Sequence, residues 1–547
     1  MRRFFGFLVS YPWLVWPMAV VSLAYGHIVR NERIVADRRA LLKLMRLGAD
    51  TYCSLFWLFR GFYWTSDPHK PASFFAIQGN KPATLPRQHN LDGVSLRYGS
   101  GDFDAPELEV TALTRFFYAI LRSVPRLQPD NKSVPPIEEY TALLRDVFGP
   151  TFVSYRPIKG DPNAPHLVRA YLTHDYGAPW LTRQGDRFIA DLSHWEALEV
   201  VQPDKYERYG GRLEFDANLE NMSITWRGKK YTPSDPEWAK VRYIFTSTVL
   251  IAVVVEQHTL QIHYFNAALF GLAQRTKLTP DHPISRLLRP FTFRTVMINE
   301  HAVYTIVEQS GLLYHGTSLT WSSLQTLYRH AASTYRHESV PDFLKRQGLL
   351  EPDGSAAPGV AFAEESLLVY ALIDRFVREY VELYYADDAA ITKDTTLAAF
   401  WAEIVAGMPA TAGVAAKPTQ AGLIELLAAF IWNVTFWHDY TSQTGNSLGD
   451  WRLGAVLVKR EDVYGSVVPN MQEHLLTLLA HQLTTVQGPK VIDNYHHFWL
   501  DEDARAIALR FQQGLWDYRA GLMRRNAKRD LIFNAYDPVI IETSVQT

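Results

Sequence analysis

The apolar positions of this chain recur three and four residues apart over most of its second half, so helices dominate the reading from Pro236 onward. The spacing predicts helices over Trp238–Gln274, Val296–Val307, Trp321–His330, Pro341–Gln347, Ala363–Tyr385, Thr396–Ala406, Gly422–Tyr440, Met471–His481 and Asp501–Ala527, with a connection at Gly407–Lys417. Arg30–Arg60, Pro106–Val124 and Pro136–Val147 read as further helices. Between Gly149 and Thr232 the pattern changes to short β-branched and aromatic runs (Phe152–Tyr155, Arg187–Ala190, Arg212–Phe215, Met222–Trp226) separated by turn formers, which predicts a small strand-rich patch. Ser66–Asp104 is rich in Pro, Gly and Asn and reads as a long surface connection. The expected fold class is mainly α: a large helical body with a minor antiparallel β region.

One segment is apolar without a clear polar face. Val253–Pro290 reads VVVEQHTLQIHYFNAALFGLAQRTKLTPDHPISRLLRP, yet carries His258 and His263 and breaks at His282-Pro283. Two imidazoles inside a buried helix must find hydrogen-bond partners or bind something. Five residues along a regular α-helix is a rotation of roughly 140°, so the rings do not share a face. A π-type turn would bring positions i and i+5 together. With 18 His in 547 residues, chance supplies roughly half of one such pair, and two satisfied core histidines is the plainer reading of the pair alone.

Composition narrows the classes. Charged residues make up 20% and hydrophobic ones 47%, a globular balance, and a net charge of −2 removes the electrostatic pull toward nucleic acid. Aromatics reach 13%, which suits large apolar cavities or a membrane-facing surface. A single cysteine, Cys53, excludes a disulfide framework and a cysteine zinc site. No phosphate-binding glycine loop and no nucleophile elbow is present. Residues 1–26 open with two arginines and run uncharged from Phe4 to Gly26, with Ser22 and Ala24 placed as at a cleavage site. They are read as a signal peptide or membrane-associating segment, kinked by Pro12 and Pro17 if it were to span. The expected location is exported or membrane-associated, with the cytoplasm as the alternative.

Context changes the reading of the two histidines. His258-x4-His263, then HPISRLLRP from His282, then Ile298-Asn299-x-x-Ala302 follow one another with the spacings of the lipoxygenase family, whose iron helix carries H-x4-H followed by HPIxxLLxP and INxxA. The segment around Val147-Phe148-Gly149 and Arg156-Pro157 resembles that family's entry into its catalytic domain. AAFIWNVTFWHDYTSQTGN supplies His438, with Ser442 where the family usually has Asn. The closing RRNAKRDLIFNAYDPVIIETSVQT resembles the family's last segment, with Thr543 in place of Asn and Thr547 in place of a terminal Ile.

The resemblance implies a non-haem iron centre (Fe2+/Fe3+, with manganese as the alternative ion) held by His258, His263, His438 and the carboxylate of Thr547. Ser442 is a weaker donor than Asn, acting directly or through water. It implies insertion of O2 into a polyunsaturated fatty acid or acyl lipid to give a hydroperoxide, by removal of a bis-allylic hydrogen and addition of oxygen to the resulting radical. Leu260, Leu269, Leu287, Leu288 and Ile306 are candidates for the acyl cavity wall, each also an ordinary core position. Ala302 stands where the family's Ala-or-Gly choice tracks product chirality, and alanine is the S-type choice. Gln257 is read as a group orienting an imidazole, with Glu256 as the other candidate, and His282 as a helix cap or a donor behind a ligand. His474, His481, His496 and His497 read as packed or surface residues.

The expected organisation is a segment 1–26, a helical region 27–139 and a lipoxygenase-like catalytic domain 140–547, with no counterpart of the family's N-terminal β-barrel lipid-docking module; 1–26 would then serve delivery to a membrane surface. Two other readings remain. One is a lipoxygenase-fold enzyme turned to hydroperoxide rearrangement or to oxidation of another apolar metabolite. The other is a non-catalytic, membrane-associated lipid-binding protein.

Overall fold

The computed structural model describes residues 84–100, 136–139, 142, 160–293, 295–309, 311–442, 450–460, 490–493, 498–499, 501–529, 532–533 and 535–545. The segment 1–26, the predicted helices Arg30–Arg60, Pro106–Val124 and Met471–His481, the strand Phe152–Tyr155, the motifs at 147–149 and 156–157, and His474, His481, His496 and His497 lie outside these residues, as does most of Pro136–Val147.

The centre is one 40-residue helix, Trp238–Lys277 (α2), apolar on nearly every side and mostly buried. It and the 23-residue Gln420–Ser442 (α8) are long and apolar enough to cross a membrane, but 83% and 78% of their apolar windows are buried inside the protein. An all-round apolar helix surrounded by its own chain is a core helix. Around α2 lie Thr295–Ala302 with its continuation Val303–Val307 (α4), Trp321–Thr334 (α5), Thr395–Gly407 (α7) and α8. Ala361–Tyr384 (α6) packs on α8 and on Glu502–Asn526 (α9). Buried Phe362, Ser366, Val369, Ile373, Val377 and Tyr380 form the inward stripe of α6, spaced by three or four residues as a helix facing a core requires. Polar caps start the helices where the sequence supplies them: Thr320 accepts from Ser323 N at 3.3 Å, Asp394 from Leu397 N at 2.8 Å and Thr419 from Gly422 N at 3.0 Å.

The minor β region is a meander of five antiparallel strands in sequence order: Leu181–Gln184 (β3), Arg187–Asp191 (β4), Arg212–Asp216 (β5), Ser223–Trp226 (β6) and Lys229–Tyr231 (β7). Three match the predicted runs. A helix, Pro165–His174 (α1), lies in the stretch read as strand-rich, started by Pro165 and burying Leu167, Val168, Tyr171 and Leu172.

The larger difference is at Ser66–Asp104. The part of this supposed connection that is described is a hairpin, Leu85–Leu91 (β1) and Val94–Ser100 (β2), in full register from Leu85↔Ser100 to Leu91↔Val94. The region 27–139 is therefore not uniformly helical. Asp92 and Gly93, both at positive φ (50° and 91°), make the two-residue turn whose twist matches paired strands. Val94, Leu96 and Tyr98 alternate inward against α2 and α4. Gly99 permits the close approach, since a Cβ there would lie 2.9 Å from Val296 Cγ1.

Candidate metal centre

The helix α2 does not keep α-helical pitch. Its middle sixteen residues, Val253–Ala268, form a π-helix, as the five-residue spacing of the histidines requires. Side chains repeat that longer period: Thr259 Oγ1 donates to Val254 O at 2.7 Å and Asn266 Nδ2 to Gln261 O at 2.8 Å, each five residues back. The wider turn brings His258 and His263 to one face, with their Nε2 atoms 3.2 Å apart. A second π segment, Asn433–Trp437 in α8, delivers His438 to the same point; the sequence offered no spacing from which to expect it. Ring centroids of His438 lie 4.9 Å from His258 and 5.4 Å from His263. One ring nitrogen from each histidine falls within 4.8 Å of the other two.

The other nitrogen of each ring is tied. His263 Nδ1 meets Asn299 Oδ1 at 3.0 Å, and Asn299 is itself held by Thr295 O through Nδ2 at 2.8 Å. His438 Nδ1 meets Asp439 Oδ1 at 3.1 Å. His258 Nδ1 meets Thr441 Oγ1 at 3.2 Å, and that hydroxyl donates backward to Trp437 O or His438 O. Amide oxygen, carboxylate and hydroxyl lone pair are all acceptors here, so each Nδ1 carries the proton and each Nε2 keeps its lone pair. His438 Nε2 is buried with no hydrogen-bond partner among the described residues, an arrangement that costs free energy unless something else binds it. Three convergent neutral imidazoles in a buried setting fit a divalent transition-metal ion such as Fe2+.

The chain's closing segment arrives beside these orienting groups. Glu542 N donates to Asp439 Oδ2 at 2.7 Å, Ser544 Oγ to Phe293 O at 2.8 Å, and Thr295 Oγ1 to Val545 O at 3.4 Å. Thr543 is fully buried. Asn526, of the Arg525-Asn526 pair, closes the turn into this segment by bonding Phe533 N and O at 2.9 Å each. Arg525 clamps the buried carboxylate of Glu365 with contacts of 2.7 and 2.6 Å, anchoring α9 to α6. Thr547 lies outside the described residues.

The remaining sequence candidates are placed as follows. Ser442, at the end of α8, is half-buried and donates to Asp439 O at 3.3 Å. Gln257 supplies none of the three Nδ1 contacts; Asn299, Asp439 and Thr441 take that part, because the π pitch aims the rings at α4 and α8. Glu256 is turned to another face, between His194 and His330. His282 caps Pro283–Leu288 (α3) by accepting from Ile284 N at 3.2 Å and meets Asp394 Oδ2 at 3.0 Å, so its ring is committed away from the three histidines. Leu260, Leu269, Leu287 and Leu288 are fully buried, Ala302 is buried at the start of the π segment of α4, and Ile306 is half-buried. Asp439 adjoins a ligand in sequence and Asn299 lies within a motif, yet neither signals its role without the fold. Asp439→Ala should lower metal affinity roughly 10–100-fold, because the residue orients His438 and holds the Glu542 amide at once; metal titration of the purified variant checks this.

Residues 236–486 match the sequence profile of the lipoxygenase family. The hydroperoxide isomerase ALOXE3 of Homo sapiens is 28% identical over 341 residues, covering 58% of this chain and 47% of that protein. The arachidonate 12-lipoxygenase, 12R-type, of Mus musculus is 26% identical over 484 residues, covering 78% of this chain and 66% of that one. The chain thus spans about half the length of the first of these relatives. The crystal structure of coral 8R-lipoxygenase superposes with a TM-score of 0.70 at 14% identity, over 84% of this chain and 79% of the other. The profile spans the helices that carry His258, His263 and His438, and residues 236–486 form a lipoxygenase-family domain.

Proposed function

We propose that this chain is a non-haem iron dioxygenase that inserts O2 into a polyunsaturated fatty acid or acyl lipid and releases a hydroperoxide. The observation that carries the reading is the convergence of three Nε2 lone pairs at one buried point, with His438 Nε2 lacking any other partner among the described residues. His258, His263 and His438 would hold the ion, with the Thr547 carboxylate as a fourth ligand and Ser442 as a weak fifth. The path of 541–545 past Asp439 and Thr295 supports the fourth. Iron is favoured over manganese by the family. Bound there, it would supply one-electron chemistry toward an acyl C–H bond and dioxygen.

The protein's own contribution is position and dryness. Asn299, Asp439 and Thr441 fix the three rings by their Nδ1 protons, so the donor atoms need no rearrangement to bind. Leu260, Leu269, Leu287, Leu288, Ala302 and Ile306 would give an acyl chain apolar walls and keep water from a reactive carbon. Alanine at 302 supports an S-configured product. The uncharged run 4–26 supports delivery to a membrane surface and an exported or membrane-associated location.

A second reading is hydroperoxide rearrangement, supported by the relatives that bear the name hydroperoxide isomerase. One experiment separates the two. The iron-loaded full chain is given linoleate or arachidonate while oxygen and conjugated-diene absorbance are followed, and separately given the hydroperoxide. The dioxygenase reading expects one O2 consumed per diene formed. Consumption of hydroperoxide with no oxygen uptake from the parent acid would replace it with the second reading, and absence of metal and of turnover with a lipid-binding role.

A further inference from the structure

The helix that carries His258 meets a second set of metal-ligating side chains on another face. Glu256, two residues before His258, has a side chain only 1% exposed, yet it is surrounded by imidazoles rather than by apolar groups alone. His330, in the last turns of α5, places Nδ1 2.7 Å from Glu256 Oε2. His194, in the 3-10 turn Ser193–Ala197 that follows β4, places Nε2 3.5 Å from Glu256 Oε1. The two rings stack at 4.1 Å with 27° between their planes. Trp195 Nε1 donates to Glu256 Oε1 at 3.0 Å and fixes the carboxylate from behind. One donor atom from each of the three residues lies within 4.8 Å of the others.

We propose that His194, Glu256 and His330 form a second metal site, distinct from the three-histidine centre, that takes a borderline divalent cation such as Zn2+. Three features support it. Two imidazoles and one carboxylate are a donor set that suits this ion and leaves a position open to water. Glu256 is a buried carboxylate that needs a compensating positive charge, and a divalent ion between the two imidazoles would supply it in place of a proton on one ring. His194 Nε2 is a buried atom that faces the Glu256 carboxylate at 3.5 Å without a well-formed hydrogen bond. The ring edges give entry, since the His194 and His330 side chains are each about a third exposed (32% and 33%). The ion would tie the Ser193–Ala197 turn and α5 to the middle of α2.

The test uses the iron-loaded full chain titrated with Zn2+ by calorimetry, with elemental analysis of the washed product and the melting temperature as a second readout. The expected result is about one zinc per chain beyond the iron, with a higher melting temperature. His194→Ala should lose roughly tenfold or more in zinc affinity while keeping iron and turnover; if that variant does not fold, His330→Gln carries the same expectation. His438→Ala should lose iron and keep zinc. Wild-type protein that takes no zinc beyond the iron, a folded His194→Ala that binds zinc as tightly, or loss of all zinc in His438→Ala overturns the proposal.

Discussion

Replacing His438 by alanine should give a folded protein that no longer retains iron and no longer consumes oxygen with a polyunsaturated acid. The ring sits 1% exposed, with Nδ1 on Asp439 and Nε2 without a hydrogen-bond partner among the described residues, so the substitution removes a metal donor and, among those residues, breaks one side-chain hydrogen bond. Asp439 keeps the amide of Glu542, which limits the cost to the metal-free protein to about 1–3 kcal/mol. Two imidazoles remain, both on α2. They lack the partner from α8 that closes the donor set, and metal affinity falls by orders of magnitude. Circular dichroism and elemental analysis of the washed variant separate loss of metal from loss of fold. A well-folded His438→Ala protein with full iron would remove the metal centre from the place proposed for it.

The second large effect concerns the opposite end of the ligand set. Adding a few residues after Thr547 should abolish turnover while leaving the melting temperature within a few degrees of the parent. The segment 541–545 is fixed on both sides, to Asp439 through Glu542 N and to α4 through Thr295 and Phe293. An extension converts the carboxylate proposed as the fourth ligand at Thr547 into a peptide carbonyl, a weaker neutral donor. Substituting Thr547 by another residue retains a main-chain carboxylate and should be far milder. The comparison of extension with substitution isolates the main-chain group, and an extended protein with parental turnover would dismiss Thr547 as a ligand.

The sequence showed where the helices lie more readily than it showed what they do to one another. The stripe on α6 and the apolar length of α2 and α8 were legible because burial imposes a period on the chain. The hairpin β1–β2 was obscured by the Pro, Gly and Asn around it, although Asp92-Gly93 and the alternation Val94, Leu96, Tyr98 carried the signal. The α1 helix was hidden because its short apolar run adjoins true strands. At the site, His258 and His263 became legible only through the HPISRLLRP and Ile298-Asn299 segments that follow them, and Val253–Ala268 is the π-helix that lets the two share a face. The π segment before His438 has no such pair to announce it. Asn299, Asp439 and Thr441 act through geometry between α2, α4 and α8, which no local pattern encodes. The set His194, Glu256, His330 joins three stretches far apart in the chain and has no spacing at all.

In the proposed function, His258, His263 and His438 hold one redox-active ion between α2 and α8. X-ray absorption at the iron edge of the loaded, washed full chain tests it most directly, because outer-shell scattering from imidazole rings counts the histidines bound. Three imidazoles on about one iron per chain is the predicted result, falling to two or fewer with little iron in His438→Ala. A spectrum of the wild-type protein with no imidazole scattering, or with one ring only, would contradict it.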